Sequence, residues 1–137
     1  MRSFLLALAL TATACAKEEP APPSLASGTF TGAGSDALCV AGEVGEQRAG
    51  FVVYGADNAN CSASGRIEAA GAGWTLIPVG DTACKIPFSF EADQIIFGPA
   101  APSCAYYCGP GASFGGKSFR RSANAKPATD LGGDPLC

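Results

Sequence analysis

There is no histidine anywhere in the 137 residues. That absence removes the ordinary Ser-His-Asp arrangement and imidazole-based acid–base pairs, and a structural zinc site would need four thiolates. No window sustains a helical period through three turns; Ala37 to Val44 comes nearest, and Gly42 and Gly45 interrupt it. No apolar run approaches the roughly 20 residues that a bilayer-spanning helix needs. Positive charge is scarce as well, with nine Lys and Arg against twelve Asp and Glu. An acidic chain of this kind is a poor partner for nucleic acid and has little electrostatic grip on anionic lipid.

What is present begins with an export signature. Met1 to Ala14 carries one positive charge, Arg2, then a short apolar run from Phe4 to Leu10, then small residues ahead of Cys15. The run suits an export signal and is too short for a spanning helix. The Ala12-Thr13-Ala14-Cys15 segment resembles the lipobox of bacterial lipoproteins, with Ala12 where that family usually has leucine. The resemblance implies cleavage before Cys15, lipidation of that cysteine, and a domain anchored to the membrane at the cell envelope. Setting Cys15 aside also turns seven cysteines into six, an even number suited to full pairing. The alternative is a plainly secreted protein with one odd thiol. Residues 16–27, AKEEPAPPSLAS, have no apolar periodicity and three prolines, and read as a tether partly stiffened by polyproline II geometry. With Arg2 removed, the mature chain sits near −4.

From Gly28 to Cys137 there is room for one domain. All 18 glycines and 10 prolines lie in the mature part, which suits short strands and tight turns. The expected fold is all-β, a meander closed into a small barrel or sandwich and stapled by disulfides. Expected strands are Gly28–Thr31, Ala37–Val40, Phe51–Tyr54, Arg66–Ala69 and Trp74–Ile77, with a short one at Ala105–Tyr107. The clearest pattern is Cys84-Lys85-Ile86-Pro87-Phe88-Ser89-Phe90, where Ile86, Phe88 and Phe90 share one face. Glu91-Ala92-Asp93 then turns the chain, and Gln94–Phe97 returns as the second strand of a hairpin. That return brings Cys84 towards Cys104 and makes them the first expected disulfide. Cys39–Cys61 and Cys108–Cys137 are the expected remaining pairs, chosen among fifteen possible connectivities.

Several apparent chemical sites fail on context. Gly111 to Ser118 satisfies G-x-x-x-x-G-K-S, but phosphate binding there needs a strand before it and a helix after it. The polar, Pro127-containing tail leaves no room for that helix. Nested within, Gly111-Ala112-Ser113-Phe114-Gly115 matches the nucleophile-elbow pattern. Ser113 lacks a histidine base and reads as a turn residue, so a hydrolase is the disfavoured third reading. Cys104 and Cys108 have one residue too many between them for a C-x-x-C redox pair, and read as halves of two disulfides. Asn60-Cys61-Ser62 fits a glycosylation sequon, which has no force in a bacterial lipoprotein. No cofactor or metal is expected.

The aromatic residues Trp74, Tyr54, Tyr106 and Tyr107 divide between core and recognition surface. Lys117, Arg120 and Arg121 place three positive charges within five residues. Tyr106, Tyr107 and that strip form the candidate binding surface. The run from Cys104 to Gly116, C-x-x-x-C-G-x-x-A-x-F-x-G, resembles the closing segment of small disulfide-linked β domains in bacterial envelope lipoproteins, some of which inhibit host lysozyme. The serine- and tyrosine-bearing loop signature of the membrane-bound lysozyme inhibitors is not found here. The resemblance implies a non-enzymatic binding or envelope-associated module facing the periplasm or exterior. Inhibition of a lysozyme-like partner is the alternative.

Overall fold

The computed structural model describes residues 15, 16 and 25–137. The export signal, 1–14, and residues 17–24 of the expected tether lie outside the described residues. Eight antiparallel strands follow one another in chain order and close into a barrel. They are β1 (Gly28–Thr31), β2 (Ala37–Ala41), β3 (Arg48–Tyr54), β4 (Asn60–Ala70), β5 (Gly73–Pro78), β6 (Ile86–Glu91), β7 (Gln94–Phe97) and β8 (Ser118–Arg121). Every pairing but one joins sequence neighbours. The exception is the seam, where Phe30 faces Arg121 and Thr31 faces Arg120.

Alternation decides which side chains fill the barrel. Along β3, Ala49, Phe51 and Val53 point inward, and along β6 Ile86 and Phe88 do the same. Phe30, Phe51, Phe97, Phe114 and Phe119 are all fully buried; Phe97 meets Phe51, Phe114 and Phe119 edge to face at centroid distances of 4.9, 6.0 and 5.3 Å, and Phe30 meets Phe90 at 6.2 Å. Outward positions on β4 and β6 carry Ser62, Ser64, Arg66, Glu68, Ser89 and Glu91. An apolar interior with a polar exterior is the reverse of a membrane-spanning barrel, and strands of four residues are too short for one.

The barrel has two ends. The β1–β2, β3–β4, β5–β6 and β7–β8 connections gather at the upper end, and Phe114 from the long last connection plugs it, 5.5 Å from Phe51. The lower end carries the β2–β3, β4–β5 and β6–β7 turns. Leu25 is buried there, its carbonyl accepting a hydrogen bond from the buried Gln47 side chain. Among the described residues, Leu25, three positions ahead of Gly28, thus packs with the barrel. The β6–β7 turn places Ala92 and Asp93 at φ 50° and 63°, the left-handed pair that a two-residue hairpin requires.

After Arg121 the chain leaves the barrel as a strap across its outside. Ala128 and Leu136 cover Ala37, Cys39 and Val52 on the outward face of β2 and β3. A Cβ at Gly50 would lie 2.5 Å from Leu136, so only glycine lets the strap seat there.

Three disulfides are present. Cys84–Cys104 forms as the hairpin return implies. The other two pairs differ from expectation: Cys39 joins Cys137, and Cys61 joins Cys108. Cys39 points outward to meet the strap, whereas Cys61 points inward and upward beneath the last connection, so the two cannot meet each other. Ala105–Tyr107 is also not a strand. Pro102 opens a 3-10 turn, Pro102–Tyr107, and β8 is the strand that closes the sheet.

Candidate functional site

The upper end carries three exposed large apolar side chains, Tyr54, Val79 and Tyr106. The Pro102–Tyr107 turn is fixed at one side by Cys104–Cys84 and just past its other side by Cys108–Cys61. Cys61 and Cys108 also form an isolated β-bridge, and the Gly109 amide donates to the Asn60 carbonyl, pinning the connection to the start of β4. Between these anchors Tyr106 is 89 % exposed, the most exposed of the large apolar side chains among the described residues. Its ring stands perpendicular to that of Tyr107 at 5.4 Å. Beside the turn lies an open crevice of about 520 Å³, lined by Ala101, Pro102, Ala105, Pro110, Ala112 and Ser113 among others. Small side chains make its walls, so it is shallow and mainly apolar.

Tyr107 does a different job from its neighbour. Its hydroxyl donates to Asp81 Oδ2 at 2.9 Å, while Asp81 Oδ1 accepts from the amides of Ala83 and Cys84 at 3.0 and 3.1 Å. One carboxylate thus ties the β5–β6 turn to the 3-10 turn. The Cys84 amide first, and then the Tyr107 hydroxyl, hold the Asp81 carboxyl below its usual range. Burial, followed by the Asp81 carboxylate, pushes the Tyr107 phenol up to about 12. Linkage fixes the signs. The phenol's contribution to stability is complete below the unfolded value near 10 and declines as pH rises through about 12. The carboxylate's contribution is complete above its ordinary value and is lost as pH falls through the depressed one. Followed by phenolate absorbance, one tyrosine step will come near pH 12 and will be absent in Tyr107→Phe. In Asp81→Asn that step will move only part of the way down, because burial is the larger cause; a step unmoved by either substitution would remove the Asp81–Tyr107 link.

The expected basic strip is dispersed. Lys117 Nζ lies 3.5 Å from Asp36 Oδ2, and the buried Asp36 also accepts from the Tyr54 amide at 2.8 Å. Arg120 is exposed on the outer face of β8. Arg121 points the other way, into the lower end. Its guanidinium stands 4.8 Å over the Phe30 ring, donates to the carbonyls of Ser27 and Ala26 at 2.8 and 3.1 Å, and lies 3.4 Å from Asp93. Tyr106, Tyr107 and Lys117 therefore belong to the upper end, and Arg121 is a plug at the opposite one. Trp74 is buried against Phe88, and Tyr54 is partly exposed at the upper rim.

The motif matches take ordinary structural roles. Strand β8, not a helix, begins at Ser118 directly after Gly116-Lys117, so no helix N-terminus is available to hold phosphate. Ser113 Oγ accepts a hydrogen bond from the Gly115 amide at 3.3 Å, a local turn contact, and no basic side chain hydrogen-bonds to it among the described residues. Cys15 is exposed with a free thiol. Among the described residues no group of His, Cys, Asp and Glu is arranged to hold a metal ion, and no helix is long and apolar enough to cross a membrane. Sequence reading missed Asp81 and the crevice. Asp81-Thr82-Ala83-Cys84 does carry an Asx-turn signal, but its tyrosine partner is 26 residues away.

No protein-family model, no curated protein and no solved structure matches this chain. Its class rests on its own geometry: a small closed β-barrel, filled with aromatic side chains, held by three disulfides and so at home in an oxidising, extracytoplasmic compartment.

Proposed function

We propose that this protein is a lipid-anchored binding module of the bacterial cell envelope, acting by recognition and not by chemistry, with the upper end of its barrel as the binding surface. The observation that carries the reading is Tyr106, 89 % exposed on a short turn held between two disulfides, beside an apolar crevice. An exposed aromatic side chain normally loses freedom when it is buried at an interface. Here the backbone beneath it is already fixed, so less is lost on binding. A mature charge near −4 favours a basic protein partner. Anchoring rests on the lipobox resemblance at Cys15 and gives the domain a fixed address in the envelope.

The alternative, inhibition of a lysozyme-like enzyme, uses the same surface against a basic partner of that kind. One set of experiments separates these readings. Labelled fatty acid will enter the wild type but not Cys15→Ser, and failure to label the wild type would remove the anchor. Capture of a partner from envelope extract will weaken about 30-fold in Tyr106→Ala, the effect of an interface anchor worth about 2 kcal/mol. Capture that ignores this substitution would move the surface elsewhere. Lysozyme inhibition lost in the same variant would promote the alternative, and hydrolytic turnover by the purified protein would overturn the non-enzymatic reading.

A further inference from the structure

The three disulfides are unequal in their surroundings. Cys84, Cys104 and Cys61 are fully buried, and Cys108, the half-buried partner of Cys61, is held in the bridge beside β4. Cys137 is exposed, whereas its partner Cys39 is buried beneath the strap on the outward face of β2. What this outer bond holds is also different. The strap beyond Ser122 is folded on itself: Leu136 donates to Ala128, Asp130 to Asp134 and Gly133 to Asp130, and Thr129 bridges Pro135. Asp130 Oδ1 further accepts from the amides of Gly132 and Asp134 at 2.8 and 2.9 Å. Among the described residues, the last hydrogen bond from this segment to the barrel is Ser122 to the Thr29 carbonyl. Past that point the strap is attached by Ala128, Leu136 and the Cys39–Cys137 bond.

We infer that Cys39–Cys137 is a thiol–disulfide exchange site, and that its reduction by a dithiol releases the 123–137 strap and uncovers the outward face of β2 and β3 while the barrel stays closed. A dithiol in its thiolate form attacks one sulfur, most accessibly Cys137 Sγ, forming a mixed disulfide and leaving a Cys39 thiolate that takes up a proton. The second thiol of the reagent then displaces Cys137 as a thiol. The protein gains two electrons and two protons, and the dithiol becomes a cyclic disulfide. Exposure favours this bond as the one that opens, because attack requires access to a sulfur. Once it opens, two apolar side chains do not offset the freedom regained by roughly fifteen residues. Ala37, Gly50 and Val52 then meet solvent, whereas the strand pairings of β2 with β1 and β3 do not involve the strap at all.

The test uses the full chain, with the Cys15 thiol blocked beforehand, by its lipid or by alkylation. The protein is equilibrated with graded dithiothreitol under native conditions, trapped by a second alkylating reagent, and mapped by peptide mass spectrometry. Cys39 and Cys137 will be labelled at a reductant concentration about tenfold below that needed for the other four. At that concentration hydrogen exchange at the Leu136 amide will rise at least about tenfold, with near-ultraviolet circular dichroism of the aromatic core unchanged. The double variant Cys39→Ala/Cys137→Ala will show the same exchange pattern without reductant. Simultaneous opening of all three bonds, earlier opening of either buried one, or loss of the aromatic signal with Cys39–Cys137 would each overturn the inference. So would a strap that stays protected after its bond has opened.

Discussion

Gly65→Ala will cost this domain about 3 kcal/mol or more, the upper end of what overpacking does, and will lower its melting temperature by on the order of 10 °C. β4 is eleven residues long and serves two neighbours, pairing with β3 along its first part and with β5 along its second. Gly65 faces inward where one duty passes to the other. A Cβ there would lie 1.9 Å from the Ile77 carbonyl oxygen and 2.8 Å from Pro78 Cα. Both are backbone atoms of a paired strand, so neither can rotate away as a side chain would. The control is Gly71→Ala in the β4–β5 turn, where φ is +58° but nothing lies within 4 Å. That substitution meets only the left-handed backbone penalty, about 1 kcal/mol. Urea or thermal unfolding of both variants makes the comparison. Equal losses would show that the close approach of β4 and β5 at Gly65 is not a constraint on the fold.

The second large effect is expected from Cys61→Ala/Cys108→Ala. The pair is 47 residues apart, and a loop of that length gives about 4 kcal/mol on a chain-entropy account. Small domains have a total stability of roughly 5–15 kcal/mol, so this one bond carries a large share. Its loss also frees the Cys108 side of the Pro102–Tyr107 turn, leaving Cys84–Cys104 and the Asp81–Tyr107 hydrogen bond to hold that segment. Two readouts should therefore move together: the unfolding midpoint and, in the folded protein, exchange of the Gly109 amide that now donates to Asn60. A variant with unchanged midpoint would contradict the placement of this disulfide at the centre of the upper end.

Much of the fold is legible in the sequence wherever period-two alternation meets a turn signal. The β6–β7 hairpin is the clearest case, because Ile86, Phe88 and Phe90 alternate with polar or proline residues ahead of Glu91-Ala92-Asp93. The Cys84–Cys104 pair follows from it. Strand β8 escapes the same reading because one of its two inward positions is Arg121, a cation whose acceptability depends on carbonyls and an aromatic ring from the other end of the chain. Tyr106 and Tyr107 imitate a strand by composition, yet Pro102 and two flanking disulfides turn the segment into a 3-10 helix. The two misassigned disulfides share a cause. Each depends on whether a cysteine points into the barrel or out of it, which the spacing along the chain does not encode. The candidate site was half legible for the same reason: its aromatic residues stand out in the sequence, whereas the dispersal of Lys117, Arg120 and Arg121 is a matter of strand register.

The β1–β8 seam has a kinetic meaning. In this meander seven of the eight pairings form between strands adjacent in sequence, so their contact order is low and each hairpin can form early. The eighth joins residues roughly ninety apart through two register pairs. Loop-closure entropy makes such an encounter costlier than a hairpin by about 2 kcal/mol. Ring closure is thus the late event, and until it happens β1 and β8 present free edges of the kind that recruit other chains. Arg121, reaching across from β8 to Ala26, Ser27 and Phe30, acts as the latch on that ring.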